Sequence, residues 1–129
     1  MQILISLDFW LWAAAALLCG IYVMAGLMKA TRPIPVLAGM MKWPGDYPAG
    51  FTRFIGAVDI LGGLGVILPL ATGILAWLTP LAAICLVLLQ VLAIGFHAVR
   101  REPQIIPANV VLLGLACFLA WGRLSMFGL

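Results

Sequence analysis

Four apolar runs, each about as long as a bilayer is thick when helical, occupy most of this 129-residue chain, and few folds accommodate them. A helix needs about 20 apolar residues to cross a hydrocarbon core ~30 Å thick. The runs fall at 9–28, 51–70, 74–99 and 105–121. Composition agrees: 66% of residues are hydrophobic, 9% are charged and the mean hydropathy is +1.24, which excludes a soluble domain. The expected architecture is all-α, a single domain over 1–129 forming an up-down bundle of four transmembrane helices, with the lipid bilayer as its first partner. The net charge of +3 contains no basic run of the kind that binds nucleic acid.

The first run reads as a retained span rather than a cleaved leader. The residues before it, MQILISLD, hold no Lys or Arg and do hold Asp8, the wrong charge for a signal sequence. Ala16-Leu17-Leu18-Cys19 is a poor lipoprotein cleavage site, because Leu18 is too large for its position. The only long connection, 29–50, is punctuated by Pro33, Pro35, Pro44 and Pro48, which interrupt any spanning helix. Within it, PVLAGMMKW allows two helical turns with Leu37, Met40 and Met41 on one side. This is expected to be a short interfacial helix with Trp43 at headgroup level. The second span ends at a tight turn after Pro69. The third is long enough to tilt, with Pro80 as a candidate kink, and Arg100-Arg101-Glu102-Pro103 closes it.

An up-down order puts the 1–2 and 3–4 loops on one side. That side holds Lys29, Arg32, Lys42, Arg53, Arg100 and Arg101, and the other holds Arg123 alone. The positive-inside rule places both loops in the cytoplasm and both termini outside, in an inner-membrane setting.

The second span, RFIGAVDILGGLGVILP, contains the costliest residue in the chain. Asp59 lies about two turns inside an apolar helix, where an ionised carboxylate costs several kcal/mol and by default marks a functional site. Gly56, Asp59 and Gly63 share a face, and glycines so spaced, with Gly62 beside them, let another helix approach closely. Asp59 should therefore face the bundle interior. Arg53, six residues away, is turned ~240° from it, so a charge from another helix, His97 included, pairs better.

Depth adds to the pattern. Asp59 is six residues inside Arg53 and Gln90 seven inside His97, so both lie roughly 10 Å below the same edge. Lys29 ends the first span there, Arg53 opens the second, His97 closes the third and Asn109 opens the fourth. The expected site is a polar pocket open to the cytoplasmic half, with Asp59, Gln90, His97 and Arg53 in the pocket and Lys29 and Asn109 at its mouth. Each residue also has a structural role open to it. Lys29 and Arg53 can snorkel, His97 and Asn109 can cap helix ends, Gln90 can bond between helices, and Asp59 can form a salt bridge with Lys29 or Arg53. Cys19, Cys85 and Cys117 are singletons on three spans, expected as small buried hydrophobes without a disulfide framework. One histidine cannot make a bis-histidine haem site, and no metal-ligand cluster, phosphate loop or nucleophile triad is visible.

Four stretches, GLMKATRPIPVLAGM, FTRFIGAVDILGGLGVILP, LLQVLAIGFHAVRRE and IIPANVVLLGLACFLAWGR, together resemble the DoxX-like family of small four-helix membrane proteins over about 26–123. The family's second helix resembles R-x-x-G-x-x-E-x-x-G ending in proline. Here it reads Arg53, Gly56, Asp59 and Gly62 with Pro69, and Asp59 is one methylene shorter than the usual Glu. Lys29, His97, Asn109 and Arg123 match as well. The resemblance implies a redox-associated membrane subunit, since such proteins include a subunit of an archaeal thiosulfate:quinone oxidoreductase. A quinone or similar amphipathic molecule would then occupy the pocket, with electrons supplied by a membrane or peripheral redox partner. More distant relatives imply an alternative, a non-enzymatic membrane chaperone or assembly factor docking partner helices on the glycine face. Transport is a third reading, for which four short spans would need a homo-oligomer. Neither the residues nor the resemblance assigns a catalytic activity.

Overall fold

In the computed structural model, which describes residues 2–41 and 43–126, apolar periodicity resolves into six α-helices and no strand among the described residues. They are α1 (Gln2–Thr31), α2 (Ile34–Met41), α3 (Ala49–Gly65), α4 (Leu68–Thr72), α5 (Leu78–Val99) and α6 (Ile106–Met126). A 3₁₀ turn, Trp43–Asp46, follows α2. Four segments are long and apolar enough to span a membrane: Ser6–Thr31, Ala49–Thr72, Leu78–Val99 and Ile106–Ser125. Packing runs α1 on α3, α3 on α5, α5 on α6 and α6 back on α1, which closes a four-helix bundle in chain order. Leu17, Leu61, Leu88 and Val111, one from each span, are more than half exposed, as lipid-facing side chains should be. Trp10, Trp77 and Trp121 are exposed together at the end opposite the 1–2 and 3–4 loops, where indole suits the membrane interface.

Several boundaries depart from the expected ones. The second span breaks at 66–67 into α3 and α4 instead of running unbroken to residue 70. Pro69 lacks the N–H that would bond the Gly65 carbonyl, so the ladder stops one turn early and restarts. Pro80 does not kink the third span, because α5 starts only at Leu78. The proline stands in its first turn, where a missing donor costs nothing. Cys85 and Cys117 face outward and Cys19 is only partly buried, in place of the buried set expected; a small apolar side chain is as well solvated by lipid as by a core. Lys42, counted above on the basic side, lies outside the described residues.

The two halves of the bundle are filled differently. Away from the 1–2 and 3–4 loops, Leu11, Ala15, Leu18, Val66, Leu86, Ala116 and Leu119 form a closed apolar core. Towards those loops the buried set also takes in polar side chains: Asp59, Gln90, His97, Glu102 and Asn109. Close backbone approach aligns the helices that carry them. A Cβ on Gly26 would sit 2.6 Å from the Gly56 carbonyl oxygen, and one on Gly56 would sit 2.8 Å from the Gly26 oxygen. Only hydrogen fits at either position.

α5 ends in a Schellman motif. The Glu102 N–H donates to the His97 carbonyl (2.9 Å) and the Arg101 N–H to the Ala98 carbonyl (3.2 Å). Arg101 accordingly takes a left-handed φ of 60°, a position usually given to glycine. An L-residue there costs about 1–2 kcal/mol, and glycine's greater freedom in the unfolded chain returns about 0.4–1 kcal/mol of that. Arg101→Gly should therefore stabilise the fold by roughly 0.5–1 kcal/mol, read as a rise of a few degrees in the detergent melting midpoint. An unchanged or lower midpoint would mean that the left-handed turn is not strained.

Candidate functional site

The Schellman turn folds the chain back so that Glu102 lies over the last turn of α5. Its Oε1 is 3.1 Å from His97 Nδ1 and 3.0 Å from Arg100 Nε. Burial alone would push the Glu102 carboxyl up, but hydrogen bonds from His97 and Arg100, together with the Arg100 charge, outweigh it and hold the group below the usual carboxylate range. Arg100 also reaches across to the 1–2 loop, with Nη2 2.6 Å from Asp46 Oδ2. Its guanidinium stacks 5.8 Å from the Tyr47 ring centroid and 5.6 Å from that of Phe96. The two loops on this side are thus tied through one arginine.

Deeper in the bundle, Lys29 Nζ of α1 donates to Asp59 Oδ2 of α3 at 2.7 Å, with only 4% of the aspartate side chain exposed. The close contact at Gly26 and Gly56 brings these helices near enough for the pair to meet, since a Gly56 Cβ would touch the Lys29 Cβ at 3.0 Å. Gln90 of α5 hydrogen-bonds the hydroxyl of Tyr22 on α1 through its side-chain amide. Tyr22 sits one turn before Gly26 on the same face of α1.

These groups border one cavity of about 620 Å³. Lys29, Asp59, Gln90, His97 and Asn109 all line it, as does Tyr22, and the rest of the wall is mainly apolar and aromatic. Trp43, Phe51 and Phe96 stack edge to face on the loop side, with centroids 5.8 and 6.1 Å from Trp43. Two buried polar atoms on this wall have no hydrogen-bond partner, Gln90 Oε1 and Asn109 Nδ2. If the Gln90 amide is turned over, Tyr22 still satisfies one of its atoms and leaves the other unmet.

Over residues 13–119 the chain matches the model of the DoxX-like family. It belongs to that family. Four spans and this membership make it an integral membrane protein. Neither the curated proteins nor the solved structures yield a match to the chain.

Three residues of this DoxX-like chain depart from an expected place or role. Arg53 does not line the cavity; its Nη1 donates to the carbonyls of Lys29 and Arg32, both at 2.7 Å. The end of α1 has unpaired carbonyls, and a guanidinium on the adjacent helix satisfies two of them. Trp43 is not an exposed interfacial anchor but is 7% exposed, folded in as part of the cavity wall. Asn109 is no N-terminal cap, because its backbone already lies inside the first turn of α6. Of the glycines expected at helix contacts, Gly56 and Gly63 meet α1 and Gly62 meets Leu86 of α5. Among the described residues no cluster of three His, Cys, Asp or Glu could hold a metal ion. Glu102 and Tyr22 were missed. The signal for Glu102 was its position five residues after His97, across a helix end; Tyr22 differed from its neighbours only in being a hydroxyl within an apolar run.

Proposed function

We propose that this protein binds a small amphipathic molecule of the quinone class in the cavity and acts as a membrane subunit of a redox system, its electrons supplied by a partner protein. The setting is a bacterial inner membrane, with the 1–2 and 3–4 loops in the cytoplasm and both termini outside, as the basic residues favour. One observation carries this reading: a cavity in the size range of small-ligand sites, walled by aromatic and aliphatic side chains, is also lined by Gln90 and Asn109, each with a buried hydrogen-bonding atom left unmet. Each such atom costs about 1–3 kcal/mol when left unpaired, and a ligand with an apolar body and a polar head offsets that cost. Lys29 and Asp59 supply a charge pair deep in the same wall, suited to binding or exchanging a proton with such a head.

An assembly-factor role is the second reading. The glycines it would use are already covered by α1 and α5, so a partner helix would have to dock on another face.

Asn109→Leu tests the ligand reading, because it removes an unmet donor without touching an existing bond. Purified in detergent without ligand, this variant should melt at or above the wild-type midpoint. A short-chain benzoquinone at a hundred times its dissociation constant should stabilise the wild type by about 2.7 kcal/mol and the variant by clearly less. A wild-type midpoint that ignores benzoquinone at every concentration would rule the reading out.

A further inference from the structure

We propose that Glu102 fixes the tautomer of His97 so that the cavity wall presents a hydrogen-bond acceptor, selecting a ligand hydroxyl, as in a phenol or hydroquinone, over the matching ether or carbonyl. This deepens the ligand-binding reading above and rests on it. Glu102 is 5% exposed, and one of its oxygens receives both His97 Nδ1 and Arg100 Nε. An ionised carboxylate only accepts, so Nδ1 must carry the proton, and in a neutral imidazole Nε2 is then a bare lone pair. Arg100 favours the ionised form of Glu102, and the carboxyl is held below its usual range. Arg100 is anchored in turn by Asp46 of the other loop, so both loops take part in orienting one imidazole.

His97 lines the cavity, and with Nδ1 engaged, Nε2 is the ring nitrogen left for a ligand. Asn109 on the same wall contributes an unmet donor. A donor and an acceptor on one wall are the two functions that a hydroxyl group uses, since its oxygen accepts and its proton is donated. A carbonyl or an ether can use only the donor and leaves Nε2 unmet. The selection needs no electron transfer: the ligand O–H donates to Nε2, and should that proton move across, the imidazolium is paired with the Glu102 carboxylate. Glu102 is thus a positioning residue, acting through His97.

The chain has a single histidine, so ¹⁵N-histidine labelling reads this ring alone. In detergent at neutral pH the wild type should show a protonated Nδ1 and a bare Nε2, and Glu102→Gln should show a mixture of tautomers. A wild-type ring protonated on Nε2 overturns the proposal whatever the ligand does. Binding is then measured by titration with a short-chain hydroquinone kept reduced, its dimethyl ether and the parent benzoquinone. The wild type should prefer the hydroquinone to the ether by about tenfold, the value of one hydrogen bond. Glu102→Gln should bring that ratio near one, and Glu102→Asp, which keeps the carboxylate, should restore most of it. Equal binding of all three ligands by the wild type, or a ratio unchanged in Glu102→Gln, overturns the inference and leaves the cavity reading standing. Binding of none of them removes both.

Discussion

Replacing Lys29 with methionine should lower stability by about 3–5 kcal/mol, the typical cost of removing one partner from a buried ion pair. Asp59 has a single charged partner among the described residues, Lys29 Nζ at 2.7 Å, and it is nearly enclosed. Without the ammonium the aspartate must stay ionised in an apolar wall or take up a proton, and either course weakens the fold. The second half of the test is the double variant. Lys29→Met with Asp59→Leu removes both charges and leaves apolar groups of similar volume, a change that is often neutral or stabilising. Denaturant titration in detergent micelles should place the single variant far below the wild type and the double variant close to it. If Lys29→Met costs under about 1 kcal/mol, the pair behaves as a hydrated surface bridge, and Asp59 loses its standing as a desolvated group at the site. Ligand titrations on the double variant then separate the roles of the pair. A fold that survives while benzoquinone binding is lost points to a functional pair, and a fold that survives with binding intact to a structural one.

The four spans could be read in the sequence because hydrocarbon permits little else: the runs are long, apolar and separated by proline, glycine and charge. The relative depth of the polar residues could also be read, since 1.5 Å per residue puts Asp59 and Gln90 at one level, inside Arg53 and His97, from the helix ends alone. What lay beyond reach was rotation and fold-back. The 240° between Arg53 and Asp59 shows that they diverge, but not that Arg53 turns to the end of α1 and satisfies the Lys29 and Arg32 carbonyls. Trp43 looks equally plausible at a lipid interface or folded inward. Its placement depends on stacking with Phe51 and Phe96, which are 8 and 53 positions away in the chain. Glu102 reads as one more charge in a basic loop until the left-handed turn at Arg101 brings it back over His97. Side-chain partners set by a change of chain direction leave no periodic trace.

Gly56 should tolerate an added methyl group poorly. A Cβ there would lie 2.8 Å from the Gly26 carbonyl oxygen and 2.9 Å from the Ala30 nitrogen, and backbone atoms cannot rotate out of the way. The helices must part instead, and overpacking of this kind typically costs about 1–3 kcal/mol. Gly56→Ala should fall at the upper end of that range and Gly56→Val beyond it. Gly114→Ala is the matched control, a helical glycine with open space around its missing side chain. It should gain up to about 1 kcal/mol from helix propensity alone. A purely steric loss would end there, but Gly56 stands one turn from Asp59 and its Cβ would press on the Cβ of Lys29 at 3.0 Å. Separating α1 from α3 therefore lengthens the 2.7 Å ion pair too. Lys29→Met should then cost less in the Gly56→Ala background than in the wild type, because the pair it removes is already loosened. Strictly additive losses would show that the glycine contact and the ion pair are independent. A coupling of 0.5 kcal/mol or more would make the two glycines part of the site, because they hold the charges together.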